Sequence, residues 1–244
     1  MSNSAAPLNA PSTAPCALVT GSSSGIGRAI AERLLADGWH VQGLDIAAPV
    51  LTHAAFTGHR IDLTDANATN NLLDTLLQQG TPQALVHAAG VLRVAPLGEL
   101  QDSAGEAMWR LHVEAVTRLA NRLLPAMQRA RSGRVVLIGS RVSRGVAGRS
   151  QYAATKAALV ALARSWAAEV VTAGVTVNVV SPAATATAML TDPERATVAP
   201  RTPPIGRFID PAEIASLTAY LLGASAAAIT GQDIAICGGA SLPP

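Results

Sequence analysis

Short apolar runs alternate with longer helical patterns along the whole of this 244-residue chain. The runs have the length and composition of buried strands, and the segments between them have helical periodicity. Apolar strands separated by helices are typical of a parallel sheet covered on both faces. We therefore predict one α/β domain, a doubly wound, three-layer α/β/α sandwich of the Rossmann type. The predicted strands are 16–20, 40–45, 84–89, 134–140, 175–181 and 233–237, and the predicted helices are 25–37, 65–79, 102–130, 151–173 and 211–222.

The composition limits the function classes. A hydrophobic content of 49% with 14% charged residues is sufficient for a large core. The net charge of +2 is too small to indicate a polyanionic partner, so we expect no nucleic acid. No segment reaches about 18 uncharged apolar residues, so we expect no membrane span. The two cysteines lie at opposite ends of the chain, which favours a reducing, cytoplasmic location and no metal site.

The start of the chain differs from the remainder. Residues 1–15 mix Pro, Ser, Ala and Asn without a basic start or a continuous apolar run. We predict a flexible tail here, not a signal peptide. No linker rich in Pro and Gly divides the remaining chain, so the folded domain is predicted to span 16–244.

A glycine-rich turn follows the first predicted strand. The stretch TGSSSGIG places Gly21, Gly25 and Gly27 between a strand ending at Thr20 and an amphipathic helix. Glycine allows positive φ and close approach of a ligand, and the free N–H groups of a helix start favour phosphate. The strand, turn and helix together predict a pyrophosphate site for a dinucleotide. Tight packing alone is the alternative.

Asp45 ends the second predicted strand, 20 residues after Gly25. A carboxylate at this position can accept hydrogen bonds from both adenosine ribose hydroxyls, and it repels a 2′-phosphate. No lysine or arginine occurs in GSSSGIG or just after Asp45. The pattern favours NAD over NADP as the cofactor, and the alternative is that Asp45 only caps a loop.

The stretch SQYAATKAAL places Tyr152 four residues before Lys156 in a helical pattern. Residues four apart lie on one face of a helix. A phenol titrates near pH ~10 in water, and a nearby ammonium lowers its pKa. Tyr152 is therefore a candidate for proton exchange near neutrality. An isolated pair of this kind is more often a half-buried tyrosine beside a solvated lysine, so other motifs must support it.

These motifs, in this order, resemble those of the short-chain dehydrogenase/reductase family, classical type, over about 17–242. TGSSSGIG is similar to the family's cofactor loop, HAAG at 87–90 to its N-A-G motif, and YAATK to its catalytic Y-x-x-x-K. NVVSPAATAT at 178–187 and ITGQDIAICGG at 229–239 resemble two further segments.

The resemblance implies an oxidoreductase that interconverts a secondary alcohol and a ketone. In the family's mechanism a tyrosine exchanges a proton with the substrate oxygen while the nicotinamide exchanges a hydride with the carbon. Tyr152 corresponds to that acid/base group, and Lys156 is expected to bind the nicotinamide ribose and favour the phenolate. Ser140 is expected to hydrogen-bond the substrate oxygen. It lies 12 residues before Tyr152, one fewer than the commoner spacing.

The resemblance also implies a set of cofactor contacts. Asp62 is expected to accept from the adenine amino group, with a backbone N–H of Leu63 beside it. Thr187 is expected to hold the nicotinamide carboxamide. The residues expected to bind NAD are Gly21, Ser23, Ser24, Gly25, Ile26, Gly27, Asp45, Asp62, Leu63, Ala88, Ala89, Gly90, Tyr152, Lys156, Pro182, Thr185 and Thr187.

Three positions depart from the family pattern. His87 and His112 stand where the family usually has asparagine, and Ala183 stands where it has glycine. The second asparagine is credited with holding a helix distortion whose carbonyl binds a water leading to the lysine. Because imidazole can carry protons near neutrality, a relay through His112 is one hypothesis, and a slow enzyme is the alternative. A structural role is expected for His87. The predicted catalytic set is Ser140, Tyr152, Lys156 and His112.

The resemblance points to two substrate classes. AAGVLR at 88–93 and ITGQDI are similar to 2,3-dihydro-2,3-dihydroxybenzoate dehydrogenases, and PPIGRFIDPAEIA is shared with 3-oxoacyl-carrier-protein reductases. A proline-rich segment within 186–204 is predicted to be the substrate lid, and it is shorter than the lid of the former enzymes. Cyclic diol oxidation and 3-oxoacyl thioester reduction therefore both stay open.

Three arginines, Arg141, Arg144 and Arg149, lie between Ser140 and Tyr152, in a loop that borders the substrate mouth in this fold. Guanidinium groups pair bidentately with carboxylate or phosphate, so an anionic substrate is one reading. Solvated surface charge is the other.

A catalytically weak dinucleotide-binding sensor or scaffold is the second class of function. Consumption of NADH with a carbonyl or alcohol substrate separates it from an enzyme. The resemblance predicts a homotetramer, and apolar residues on several faces of the helix at 151–173 agree with burial on both sides.

Overall fold

The computed structural model describes residues 14–190 and 200–242. These residues form seven strands and six α-helices, with a π-helical turn between α3 and α4. The strands are β1 Cys16–Thr20, β2 His40–Asp45, β3 Phe56–Arg60, β4 Ala84–His87, β5 Gly133–Ile138, β6 Val175–Pro182 and β7 Asp233–Ile236. The helices are α1 Gly25–Ala36, α2 Ala66–Gln79, α3 Asp102–Trp109, α4 Ala115–Ala130, α5 Ser150–Val170 and α6 Pro211–Leu222.

The seven strands form one parallel sheet in the order β3-β2-β1-β4-β5-β6-β7. The chain runs outward from β1 to β3 and then returns to place β4 on the other side of β1. Crevices at such a reversal, outside the carboxyl ends of the strands, bind ligands in open α/β sheets. The predicted doubly wound fold is confirmed.

Alternate strand residues supply two separate cores, because successive side chains point to opposite faces of a sheet. Leu18, Leu85 and Leu137 pack with α2, α4 and α5 on one face. Val19 and Val86 pack with α1 and α6 on the other. All five side chains are fully buried. The sheet is therefore covered on both sides, as continuous apolar strands require.

One strand was missed by the sequence prediction. β3, FTGHR, pairs with β2 in register Val41↔Phe56 to Asp45↔Arg60 and lies at the edge of the sheet. Its residues are only partly buried or exposed. Because an edge strand needs little apolar surface, its composition does not differ from that of a loop. The other six strands and all five predicted helical segments are present, with ends that differ from the predicted ones by at most three residues.

The long helical segment predicted over 102–130 contains a distortion. Residues Arg110–Glu114 form a π-helical turn that separates α3 from α4. His112 lies in this turn and is fully buried. Such turns release backbone groups from regular helical pairing and occur frequently at functional sites. The helix distortion that the family resemblance implied near His112 is therefore present.

Two predicted segments fall partly outside the described residues. The described residues do not include most of the predicted tail at 1–15 or residues 191–199 of the predicted lid. The described parts of the lid, 186–190 and 200–204, lie beside the carboxyl end of β6. The lid and the domain boundaries remain predictions.

We expect Leu123→Ala to lower the free energy of unfolding by roughly 2–5 kcal/mol, since a fully buried leucine in a tight core leaves a cavity. Urea unfolding measures the change. Leu97→Ala is the matched control, because Leu97 is 85% exposed, and it should change stability by less than about 0.5 kcal/mol. Equal effects of the two variants would contradict the packing described for α4.

Candidate active site

The carboxyl ends of the central strands open into one large cavity of about 1180 Å³. Pockets for a single drug-sized ligand are typically about 300–1,000 Å³, so this cavity has room for a dinucleotide together with a substrate. It lies at the reversal of strand order between β1 and β4. The fold therefore places the candidate site where a doubly wound sheet binds its ligand.

The glycine loop after β1 allows close backbone approach. Gly21 has φ of +70°, and a Cβ there would lie 2.9 Å from the backbone nitrogen of Ala89. A Cβ on Gly27 would lie 2.1 Å from the carbonyl oxygen of Gly21. No larger residue fits at either position. Across the loop, Gly25 faces the methyl group of Thr187. The start of α1 is thereby held against the strand end with its N–H groups facing the cavity.

Asp45 fastens this loop to β2. One carboxylate oxygen accepts from the N–H of Ser23 at 2.9 Å, and the other accepts from the N–H of Ala47 at 2.9 Å. Asp45 therefore caps a loop, which was the alternative to cofactor binding in the sequence analysis. It also lines the cavity, and each carboxylate oxygen can accept more than one hydrogen bond. The capping contact and a contact to a ribose hydroxyl are thus compatible.

The predicted catalytic residues converge at one end of the cavity. Ser140 follows β5 and is buried, and its hydroxyl oxygen accepts from the N–H of Val142 at 3.2 Å. Tyr152 and Lys156 lie one turn apart on α5, with the ammonium nitrogen 5.7 Å from the phenol ring centroid. The helix spacing predicted from the sequence brings both side chains to a common point.

Lys156 is the sole lysine among the 18 basic residues of the chain. Its side chain is buried, and the ammonium donates to the carbonyl oxygen of Ile138 at 2.8 Å. Burial lowers its pKa to about 8. An amine with this pKa is charged for most of the time at neutral pH and can stabilise a phenolate at Tyr152.

The two histidines that depart from the family pattern are buried and close to Lys156. Burial, followed by the charge of Lys156, lowers the pKa of His87 to about 3. The same causes, with a further contribution from His87, hold the pKa of His112 well below its usual value. Both imidazoles are therefore neutral at physiological pH.

Each nitrogen of the His112 ring has a protein partner. Nε2 accepts from the N–H of Val91 at 3.0 Å, and Nδ1 lies 2.8 Å from the hydroxyl of Thr155. The ring forms a T-shaped pair with that of Tyr152, with ring centroids 5.7 Å apart and planes at 84°. A proton relay through this ring would have to break one of its two hydrogen bonds. The relay through His112 stays a hypothesis, and the two bonds give its ring a fixed position.

The cavity is lined by nearly all of the predicted site residues. The exception is Ser23, whose side chain is buried behind the loop while its N–H binds Asp45. The predicted residues that line the cavity are Gly21, Ser24, Gly25, Ile26, Gly27, Asp45, Asp62, Leu63, Ala88, Ala89, Gly90, His112, Ser140, Tyr152, Lys156, Pro182, Thr185 and Thr187.

Two threonines that the sequence analysis did not select support the site. The hydroxyl of Thr20 binds the N–H groups of Ala88 and Ala89, both at 3.0 Å, and the ring of His87. The hydroxyl of Thr155 connects His112 to the carbonyl oxygen of Tyr152 at 2.8 Å. Only the position of Thr155, between Tyr152 and Lys156, gave a sequence signal for either.

Charge is unevenly distributed around the cavity. The cavity is lined by the carboxylates of Asp45 and Asp62 after β2 and β3, whereas the segments around Ser140 and Tyr152 carry mostly arginines. Arg144, which the sequence grouped with its neighbours, is exposed and does not line the cavity. The arginines that do line it are Arg93, Arg110, Arg141, Arg149 and Arg201. Arg110 forms an ion pair with Glu106 at 2.8 Å.

A family model described as short chain dehydrogenase matches residues 15–197. The chain belongs to this family. Among the curated relatives of this short-chain dehydrogenase is the 3-oxoacyl-[acyl-carrier-protein] reductase FabG of Salmonella typhimurium, 36% identical over 234 residues, with 91% of this chain and 96% of the relative covered. FabG of Escherichia coli shows the same values. MabA of Mycobacterium bovis, another 3-oxoacyl-[acyl-carrier-protein] reductase, is 34% identical over 232 residues, with 91% of each chain covered.

Solved structures of other oxidoreductases share the fold of this short-chain dehydrogenase. A Phe-to-Trp variant of actinorhodin polyketide ketoreductase with NADPH has a TM-score of 0.84 and 27% identity, covering 94% of this chain and 98% of its own. Aldohexose dehydrogenase of Thermoplasma acidophilum, in ligand-free form, has a TM-score of 0.86 and 25% identity, covering 95% of each chain.

The family resemblance predicted from the motifs is therefore confirmed, including the similarity to 3-oxoacyl-carrier-protein reductases. The chain is an oxidoreductase that binds a nicotinamide dinucleotide. The similarity to 2,3-dihydro-2,3-dihydroxybenzoate dehydrogenases stays a prediction. Within the described residues, no helix combines the length and apolar character needed to cross a membrane.

The buried ammonium of Lys156 should reduce the stability of the protein at neutral pH. Its pKa of about 8 lies below the ordinary value of 10.5, so the unfolded chain binds this proton more tightly. Stability should rise with pH between about 8 and 10, and the deficit below that window is roughly 3 kcal/mol. We expect Lys156→Met to unfold at higher urea concentration than wild type at pH 7, with the difference shrinking by pH 10. A pH-independent difference would show that burial does not lower this pKa.

Proposed function

We propose that this protein interconverts a secondary alcohol and a ketone by hydride transfer with NAD(H), using Tyr152 as the acid/base group. The observation that carries the proposal is the convergence of Tyr152, Ser140 and the buried Lys156 at one end of a cavity large enough for a dinucleotide. When bound, the nicotinamide supplies the hydride acceptor or donor. Lys156 favours the phenolate, and the hydroxyl of Ser140 orients the substrate oxygen beside the phenol.

The substrate class that we favour is a 3-oxoacyl thioester, reduced at its ketone. This choice is supported by the 3-oxoacyl-[acyl-carrier-protein] reductases that are 34–36% identical to nearly the whole chain. The arginines around the substrate end support a substrate with an anionic group at its periphery, since guanidinium binds phosphate and carboxylate bidentately. Oxidation of a cyclic diol is the second candidate, supported by the similarity to an aldohexose dehydrogenase.

The cofactor is proposed to be NAD on the basis of Asp45. Its carboxylate would repel a 2′-phosphate, and no lysine or arginine is among the cavity-lining residues of its neighbourhood, Ile46, Ile61, Asp62, Leu63 and Thr64. One cation lies close by outside this lining. Arg60 is opposite Asp45 in the register of β2 and β3, and its side chain donates to the carbonyl oxygen of Ile46 at 3.2 Å. The similar ketoreductase was solved with NADPH, so cofactor choice must be measured.

We also propose a homotetramer that pairs through the helices at 102–130 and 151–173 and again through the C-terminal region. In support, α5 carries partly buried apolar residues such as Val160, Leu162 and Trp166 on the flanks of its buried stripe. Sedimentation velocity measures the assembly, and a monomer at micromolar concentration would contradict this proposal.

Tyr152→Phe tests the reaction. Loss of the phenolic proton should lower kcat by about 10²–10⁴-fold, the usual contribution of general acid/base catalysis. Wild type and variant are assayed with NADH and NADPH over 3-oxoacyl thioesters and cyclic ketones, and with NAD⁺ and NADP⁺ over the matching alcohols. Binding of NADH, followed by its fluorescence, should persist, because the other residues expected to bind the cofactor are kept. A wild-type protein that binds NADH and turns over none of these compounds would instead be a dinucleotide-binding sensor or scaffold.

Asp45→Ser tests the cofactor preference. Removing the carboxylate removes the repulsion of a 2′-phosphate, so the preference for NAD over NADP should fall about tenfold or more in kcat/KM. Adding Arg60→Leu to Asp45→Ser should reverse part of that change, because Arg60 would then be the nearest partner for the phosphate. A wild type that already prefers NADP would overturn the assignment of NAD.

A further inference from the structure

The proton of the His87 ring can be assigned from its neighbours. The hydroxyl oxygen of Thr20 accepts from the N–H groups of Ala88 and Ala89, which occupies both of its lone pairs. The hydroxyl proton must therefore be donated to Nδ1 of His87, at 3.0 Å. His87 then carries its own proton on Nε2. This ring is in the Nε2–H tautomer.

The protonated nitrogen of His87 has no partner at ordinary hydrogen-bond distance within the described residues. Backbone groups of Leu111 and His112 raise the pKa of the ring, although burial and the charge of Lys156 outweigh them. The position of His87 is therefore fixed by its bond to Thr20.

The proton of the His112 ring is assigned in the same way and lies on the other nitrogen. The N–H of Val91 points at Nε2, which must accept and so carries no proton. The hydroxyl of Thr155 donates to the carbonyl oxygen of Tyr152, so it accepts from Nδ1. His112 is in the Nδ1–H tautomer. Hydrogen bonds therefore run without interruption from the loop after β4, through His112 and Thr155, to the backbone of Tyr152.

The absence of a side chain at Gly90 leaves room for the ring of His112. A Cβ on Gly90 would lie 3.0 Å from Nε2 of His112, so a larger residue at position 90 would displace the imidazole. The ring of His112 lies beside that of Tyr152. The charged groups that act on the His112 ring are Lys156 on α5 and, when protonated, His87 on β4. His112 is thus packed between the segment that carries Gly90 and the helix that carries Tyr152.

We propose that His112 is a positioning residue that acts as a permanently neutral imidazole and, through Thr155, fixes Tyr152 to the loop after β4 that carries Val91. The proposal rests on the function proposed above. It excludes proton transfer through His112, because its lone pair and its N–H are both committed to protein groups.

The first test measures the tautomers of the histidine side chains and does not require catalytic turnover. The protein has five histidines, and nitrogen NMR of ¹⁵N-histidine-labelled holoenzyme, with NADH bound, distinguishes the two tautomers and the cation. We expect His112 in the Nδ1–H form and His87 in the Nε2–H form, both unchanged from pH 5.5 to 8.5. A His112 that is protonated within that range, or that is in the Nε2–H form, would overturn the proposal.

The second test measures the titration of the Tyr152 phenol. The chain has two tyrosines, and Tyr220, which is 50% exposed, serves as an internal reference. In ¹³C-tyrosine-labelled protein, Thr155→Val should shift the titration of Tyr152 and leave that of Tyr220 unchanged. Thr155→Ser, which keeps the hydroxyl, should restore the wild-type titration. Thr75→Val is the matched control, since Thr75 makes a similar bond to a helix carbonyl far from the site.

The third test is a double-mutant cycle on kcat. His112→Leu and Thr155→Val should each lower kcat by roughly tenfold to 100-fold, since small displacements of a reacting group have effects of this size. Together they should do no more than the larger single change, because both break one connection. Additive losses, or a Thr155→Val enzyme with unchanged kcat, would show that His112 does not act through Thr155. If no substrate is turned over, the two NMR tests still decide the proposal separately from the proposed reaction.

Discussion

Burial of the imidazoles of His87 and His112 beside a buried ammonium, that of Lys156, sets the protonation of the site. Lys156 is enclosed by β5 and α5 and has the carbonyl oxygen of Ile138 as a hydrogen-bond acceptor. A charge in such a place raises the energy of any second cation nearby. Both neighbouring histidines must therefore be neutral, and a neutral buried imidazole needs one donor and one acceptor in fixed positions. The hydrogen bonds of Thr20, Val91 and Thr155 follow from that requirement.

The same constraint explains how this chain accommodates two departures from its family. Asparagine offers a donor and an acceptor on one short side chain, whereas histidine offers them on opposite sides of a ring. At position 112 the ring spans from Val91 to Thr155, which connects two segments of the site. At position 87 the ring binds Thr20 behind the loop of Ala88 and Ala89. The substitutions therefore preserve a polar network while changing which parts it joins.

The fold itself says little about the substrate, because many reactions occur on doubly wound sheets. Specificity is carried by the loops at the carboxyl edge. In this chain those loops separate charge, with Asp45 and Asp62 after β2 and β3 and arginines around Ser140 and Tyr152. In the proposed reaction, an electrostatic gradient of this kind would orient the dinucleotide and the substrate. The family membership and this gradient together support the proposed reaction.

Most of the architecture is readable from local pattern, since the apolar period of each buried strand and helix is a property of neighbouring residues. The glycine loop, Asp45 and the pair Tyr152 and Lys156 are readable for the same reason. β3 is not, because an edge strand lacks a continuous apolar face.

What local pattern cannot specify is which distant groups meet. Thr20 binds residues 67 to 69 positions away, and His112 binds Thr155 across 43 positions. From the sequence, a proton relay through His112 was one hypothesis and a slow enzyme the alternative, because imidazole carries protons near neutrality in water. Packing against Lys156 and the enclosure of both ring nitrogens make it neutral instead, because burial and a nearby cation penalise the charged form. The sequence thus determines the strands, the helices and the reacting groups. Folding determines the protonation and the hydrogen-bond partners of those groups, because both depend on contacts that exist only once the strand ends have been brought together.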